Sequence, residues 1–201
     1  MIAIVDYDAG NIKSVEKAFL SLGVQVCLTR DPEVITSAEK VVLPGVGNFG
    51  DAMNKLNTYG LTEPLKEVTK KGTPFLGICL GMQLILEESE ESPGVKGLCL
   101  CPGRIIRIPD APGLKVPHIG WNSLDYPSEG KLFQGIREGS YVYFVHSYYL
   151  PAEGNPNVKA SCEYGVTVGA SVELGNVFGC QFHPEKSSNV GLHILKNFVE
   201  L

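Results

Sequence analysis

Two short segments carry residue types that together can perform nucleophilic chemistry. Gly77-Ile78-Cys79-Leu80-Gly81 has the form G-x-S-x-G with cysteine in place of serine. An apolar run precedes it and a helical pattern follows, the strand-to-helix context of a nucleophile elbow. Flanking glycines allow the sharp turn that lifts Cys79 out at the top of a sheet. At a helix N-terminus, backbone amides and the helix dipole favour negative charge on sulfur. The next amide, that of Leu80, is then placed to donate to an oxyanion. Alone, the pentapeptide also fits a buried core cysteine, since cysteine is among the most buried residue types.

The second segment is His183-Pro184-Glu185. Proline fixes its own φ and biases His183 to extended geometry. Residues i and i+2 of an extended chain point to one side, which sets imidazole beside carboxylate. A carboxylate accepting from one ring nitrogen leaves the other free to face a nucleophile. His118 and His146 are rival bases, but neither has a carboxylate two residues away. His193 falls in the C-terminal helical pattern.

A third segment, Pro44-Gly45-Val46-Gly47-Asn48-Phe49-Gly50, contains G-x-G-x-x-G between a strand and a helix. That is the form of a dinucleotide-binding turn. The pattern normally occupies the first βα turn, and here it occupies the third. Glu67, about twenty residues on, lies inside a helical pattern and not at a strand end. The favoured reading is that Val46 or Gly47 turns a backbone N–H toward the oxyanion of a tetrahedral intermediate formed at Cys79.

These segments need a scaffold that brings strand ends together. Apolar runs predict strands over 2–5, 24–29, 40–43 and 75–78, alternating with helices over 12–22, 50–58, 61–71 and 80–89. Asn11 is the expected N-cap of the first helix, and Gly23 and Gly72 are expected C-terminal stops. Strands are then expected over 104–108, 141–146, 158–163, 166–172 and 177–182, with a last helix over 190–201. Such alternation implies an α/β fold, a three-layer sandwich around a central, mostly parallel mixed sheet. No linker, repeat or low-complexity stretch divides the 201 residues, so one domain is expected. Ligands of open parallel sheets sit beyond the carboxyl ends of the strands, where all three segments fall.

Composition narrows the class. Glycine is high, 23 of 201 residues, about 11% against a background of about 7%. Net charge is −5, with no basic patch, which disfavours nucleic-acid binding. No secretory leader or membrane-spanning run is visible, so a cytoplasmic protein is expected. Of six cysteines, Cys27, Cys162 and Cys180 lie in strand-like runs and read as small buried hydrophobes. Cys99 and Cys101 lack the second pair or histidine that a zinc site needs. No metal or cofactor is expected.

Segments 44–50, 77–84, 87–91, 117–122, 146–148 and 183–187 together closely resemble the class I (triad) glutamine amidotransferases. The likeness covers nearly the whole chain and implies their flavodoxin-like fold. It is most specific for the branch whose ammonia feeds a (β/α)8-barrel cyclase subunit of histidine biosynthesis. The resemblance implies hydrolysis of glutamine to glutamate and ammonia, with Cys79, His183 and Glu185 catalytic. It assigns Gly45, Gln83, Glu91, Ser147 and Tyr148 to substrate binding. Serine at 147 stands where the family often has threonine, with the hydroxyl retained. It also implies a heterodimer, with Trp121, Asn122, Asn11, Ser14 and Lys186 at the docking face. The bland reading of Trp121, the sole tryptophan, is a core anchor.

Overall fold

The computed structural model describes residues 1–10 and 12–201; Asn11, expected as an N-cap and a docking residue, lies outside them. In chain order the elements are β1 (Ile2–Val5), α1 (Ile12–Ser21), β2 (Val26–Thr29), α2 (Pro32–Ser37), β3 (Lys40–Gly45), α3 (Phe49–Thr58), α4 (Thr62–Lys70), β4 (Phe75–Cys79) and α5 (Leu80–Leu84). There follow β5 (Glu88–Ser89), β6 (Arg104–Arg107), β7 (His118–Ser123), β8 (Tyr141–His146), β9 (Tyr148–Tyr149), β10 (Val158–Glu163), β11 (Thr167–Leu174), β12 (Val177–Cys180) and α6 (Ser188–Val199).

Seven strands form one sheet in the order β10-β11-β12-β4-β3-β1-β2. The five from β12 to β2 are parallel, and β10 and β11 join antiparallel at one edge. Period-two alternation gives each strand two apolar faces. Ala3, Val5, Val41 and Leu43 pack with Ile35, Met53, Leu56 and Leu65 from α2, α3 and α4. Ile2, Ile4, Val42 and Leu76 face Val15, Phe19, Ile194 and Phe198 from α1 and α6. A parallel sheet buried on both faces is the expected result of helical crossovers. The antiparallel hairpin β7–β8 stands outside the main sheet, and its Phe144 joins the second core.

The sequence predicts one amphipathic helix over 80–89, and the structure differs. Helix α5 stops at Leu84, and all five of its residues are buried. A distant loop ends it: the amides of Leu98 and Leu100 donate to the carbonyls of Leu84 and Ile85 at 2.7 and 2.8 Å. The chain then turns and pairs Glu88 and Ser89 with β6. Helix α2 was not predicted, although Asp31 caps it through the amide of Glu33 at 2.9 Å and Pro32 opens it. Strand β7 also lies outside the strands expected from the apolar runs. Cys27 is only half-buried, whereas Cys162 and Cys180 are buried as expected.

Candidate active site

Three parallel strands end side by side. Gly45 at the end of β3 pairs with Cys79 at the end of β4, and Ile78 pairs with Cys180 near the end of β12. Cys79 has φ 56° and ψ −112°, a conformation that costs a non-glycine residue about 1–3 kcal/mol. The turn is held by close packing: a Cβ on Gly81 would lie 1.8 Å from the Leu43 carbonyl oxygen. Only glycine lets α5 start directly against β3. The Cys79 sulfur is buried, 3.8 Å from the carbonyl oxygen of Val145.

His183 follows β12. Its Nδ1 lies 2.8 Å from Glu185 Oε1, and the Glu185 side chain is almost wholly enclosed. The backbone fixes the ring from behind. The His183 amide donates to the Tyr143 carbonyl, and Ser187 Oγ donates to the His183 carbonyl at 2.6 Å while accepting the Tyr143 amide at 3.0 Å. Burial disfavours charge on His183, but hydrogen bonds to Cys79 and Glu185, and their charge, outweigh it and push its pKa up to about 10. The imidazolium is thus favoured beside the sulfur.

Val46, Gly47, Leu80, Gln83, Glu91, Ser147, Tyr148 and Lys186 line a cleft of about 310 Å³ around Cys79 and His183. Of the expected substrate residues, Gly45 alone is set back from this cleft. It sits against the buried Tyr7 hydroxyl, which is 2.4 Å from where a Cβ on Gly45 would be. That hydroxyl has no partner among the described residues. Burial, then the charge of Cys79, holds its pKa well above the usual phenol range. Gln83 is buried, with its amide donating to the Tyr148 carbonyl at 3.1 Å and to Gln181 Oε1 at 2.9 Å.

The Gly-Val-Gly loop presents no free helix N-terminus to a phosphate. The amides of Phe49, Gly50 and Asp51 donate to Glu91 Oε2 at 2.7 Å, Ser92 Oγ at 2.9 Å and Asn48 Oδ1 at 3.1 Å. These are the groups a dinucleotide turn would offer its ligand. Gly47, with φ 104°, leaves this loop free to orient its peptides.

The rival histidines are occupied with each other. His118 Nδ1 lies 3.0 Å from His146 Nε2, both rings buried. Burial lowers the His118 pKa to about 4. Burial, then the neighbouring His118 and His183, lower that of His146 to about 3 against the opposing Tyr148 carbonyl.

Trp121 is no core anchor. It is 52% exposed and shares one face of β7 with Ile119, 59% exposed, while Tyr141 on β8 is 58% exposed. Trp121 packs edge-on to Tyr143 across the hairpin. The half-buried Asn122 side chain lies on the opposite face of β7 from Trp121, donating to the Glu163 carbonyl at 2.9 Å and accepting from the Ser123 amide at 2.8 Å. Ser14 is half-buried on α1, and Lys186 is exposed at the cleft rim. Tyr7, Gln181 and Ser187 were not singled out as site residues; only Ser187, closing the 183–187 segment, carried a sequence signal. Among the described residues, no three His, Cys, Asp or Glu side chains cluster as a metal site, and no helix is long and apolar enough to cross a membrane.

A cysteine on a strand-end elbow, a His–Glu pair on the next strand and a glycine-rich loop on the other side describe an amide-hydrolysing site. The chain belongs to the class I glutamine amidotransferase family, whose sequence profile, Glutamine amidotransferase class-I, matches residues 3–201. Several full-length relatives share one name within that family. It is 52% identical to imidazole glycerol phosphate synthase subunit HisH of Moorella thermoacetica, over all of this chain and 94% of the relative. It is likewise 52% identical to subunit HisH of Methanothermobacter thermautotrophicus, over all of this chain and 98% of that one. Among solved structures, a glutamine amidotransferase aligns over 99% of this chain and all of its own, with a TM-score of 0.76 at 19% identity. Another, from Thermotoga maritima, aligns over 99% of this chain and 80% of its own, with a TM-score of 0.66 at 19% identity.

Proposed function

We propose that this chain is the glutaminase subunit of imidazole glycerol phosphate synthase, hydrolysing glutamine at Cys79 and passing ammonia to a (β/α)8-barrel cyclase subunit that forms imidazole glycerol phosphate in histidine biosynthesis. One observation carries the chemistry: Cys79 sits on a strained elbow and shares one cleft with His183, whose Nδ1 is held 2.8 Å from Glu185. The sulfur attacks the side-chain carbonyl carbon of glutamine, and the C=O electron pair moves to oxygen. The N–H of Leu80, with that of Val46 or Gly47, stabilises the oxyanion, one such donor contributing about 10²–10³ in rate. Collapse expels ammonia as His183 gives the nitrogen a proton, leaving a γ-glutamyl thioester. His183 then takes a proton from water, hydroxide adds, and the sulfur leaves from glutamate. Glu185 orients the ring throughout.

Gln83, Glu91, Ser147 and Tyr148 hold the substrate in the cleft, with Gly45 beneath it. Ile119, Trp121 and Tyr141 form the apolar docking face, with Trp and Tyr the residue types enriched at interface hot spots. Six free thiols fit the reducing cytoplasm. The test is glutamine turnover by the purified chain with and without the cyclase subunit and its ribotide ligand. Strong stimulation is expected. Full turnover by the chain alone points instead to a free-standing cysteine amidohydrolase.

A further inference from the structure

The hairpin β7–β8 has an inner face that the catalytic steps do not use. There, His118 and His146 are Cα partners across the ladder. Three contacts fix where every proton in this pair sits. The Tyr148 carbonyl can only accept, so His146 Nδ1, at 2.9 Å, must carry a hydrogen. A neutral His146 then has a lone pair on Nε2, and His118 Nδ1, 3.0 Å away, must donate to it. That leaves a lone pair on His118 Nε2, which faces the Asn122 amide nitrogen at 3.5 Å. Asn122 is oriented independently, because its nitrogen donates to Glu163 and its oxygen accepts from Ser123. The His118 ring cannot tilt: Phe144 stacks on it at 4.7 Å and Tyr164 at 3.8 Å between ring centroids.

We propose that His118 and His146 form a one-directional hydrogen-bond relay, Asn122 to His118 to His146 to the Tyr148 carbonyl, which positions the glutamine-binding wall from the docking hairpin. The Tyr148 carbonyl is the junction, since it also accepts from Gln83, and both residues line the cleft. At its other end, the relay starts one residue from exposed Trp121. His118 and His146 are positioning residues here, and neither moves a proton in the reaction. The proposal rests on the glutaminase reading for the meaning of the cleft.

The test has two arms. In the intact chain labelled with ¹⁵N-histidine, NMR at neutral pH should show both His118 and His146 as neutral rings protonated at Nδ1. The usual Nε2–H tautomer at either ring would overturn the relay, with no variant required. In the second arm His118→Phe keeps the stacking between Phe144 and Tyr164 but cuts the relay. In complex with the cyclase subunit it should raise KM for glutamine about three- to tenfold, with kcat within about twofold. An unchanged KM in the folded variant overturns the proposal. Absence of glutamine turnover by the unmodified complex would overturn the glutaminase reading itself, and with it this role for the wall.

Discussion

The backbone amide of His183 donates to the carbonyl of Tyr143 at 2.9 Å. Tyr143 is the residue whose ring packs against exposed Trp121. The proposed base is therefore one hydrogen bond from a strand whose outer face is free to meet a partner. The link runs through the backbone, with no side chain in between.

Cys79→Ala should abolish glutamine-dependent synthesis by the complex while leaving synthesis from added ammonium salts. Loss of both in steady-state assays would assign Cys79 a structural role.

The same variant makes a titration prediction. Cys79 accounts for two of the influences that raise the His183 pKa, a hydrogen bond and a charge. With the sulfur gone, burial weighs more and His183 should titrate well below about 10, as followed by NMR. In the unmodified chain the folded value lies above the ordinary histidine value. The stabilisation it contributes is complete below about 6.5 and is lost as pH rises through about 10. Denaturant midpoints between neutral and alkaline pH check the sign.

Ser187→Ala removes the acceptor of the Tyr143 amide and a donor to the His183 carbonyl. Leaving this part-buried amide unmatched should cost about 1 kcal/mol in unfolding free energy. Because the loss falls behind the base, kcat for glutamine should drop more than KM rises.

Gly81→Ala drives a Cβ to within 1.8 Å of the Leu43 carbonyl oxygen. Backbone cannot yield there without separating α5 from β3. Destabilisation of about 3 kcal/mol or more is expected by chemical denaturation, with loss of turnover even in the surviving folded fraction.

Trp121→Ala should leave the melting temperature of the isolated chain nearly unchanged, since half of the side chain is already exposed. Affinity for the cyclase subunit should fall about tenfold or more. Titration calorimetry with the purified partner measures it, and an unchanged affinity moves the docking face elsewhere.

The placement of Cys79, His183 and the Gly45–Gly47 segment was legible because each depends on local sequence: a strand, a breaker and a chemistry-bearing residue. Parallel strands then bring their ends together without further information. Features set by distant chain were not legible. Helix α5 stops where Leu98 and Leu100 capture its carbonyls, and nothing at 84–89 announces that. Glu91 is marked only by the family resemblance, as a substrate residue, and nothing local shows that it also closes the first turn of α3 through Phe49. Asn122 and Trp121 are sequence neighbours, and only the pleat of β7 shows that they serve opposite faces. Helix α2 is a different case, since Asp31-Pro32 is a local capping signal that opens it.

The two-faced hairpin has one more consequence. Trp121 looks outward and His118 inward because β7 is paired with β8 in a single register, Trp121 opposite Tyr143 and His118 opposite His146. A slip of one residue exchanges the faces of a strand. The exposed aromatic face and the buried histidine pair are therefore written in the same alternation, and neither can be edited by insertion or deletion within β7 without erasing the other. The connection from 124 to 140 lies outside that alternation, but its Leu124, Leu132 and Phe133 are themselves packed into the core.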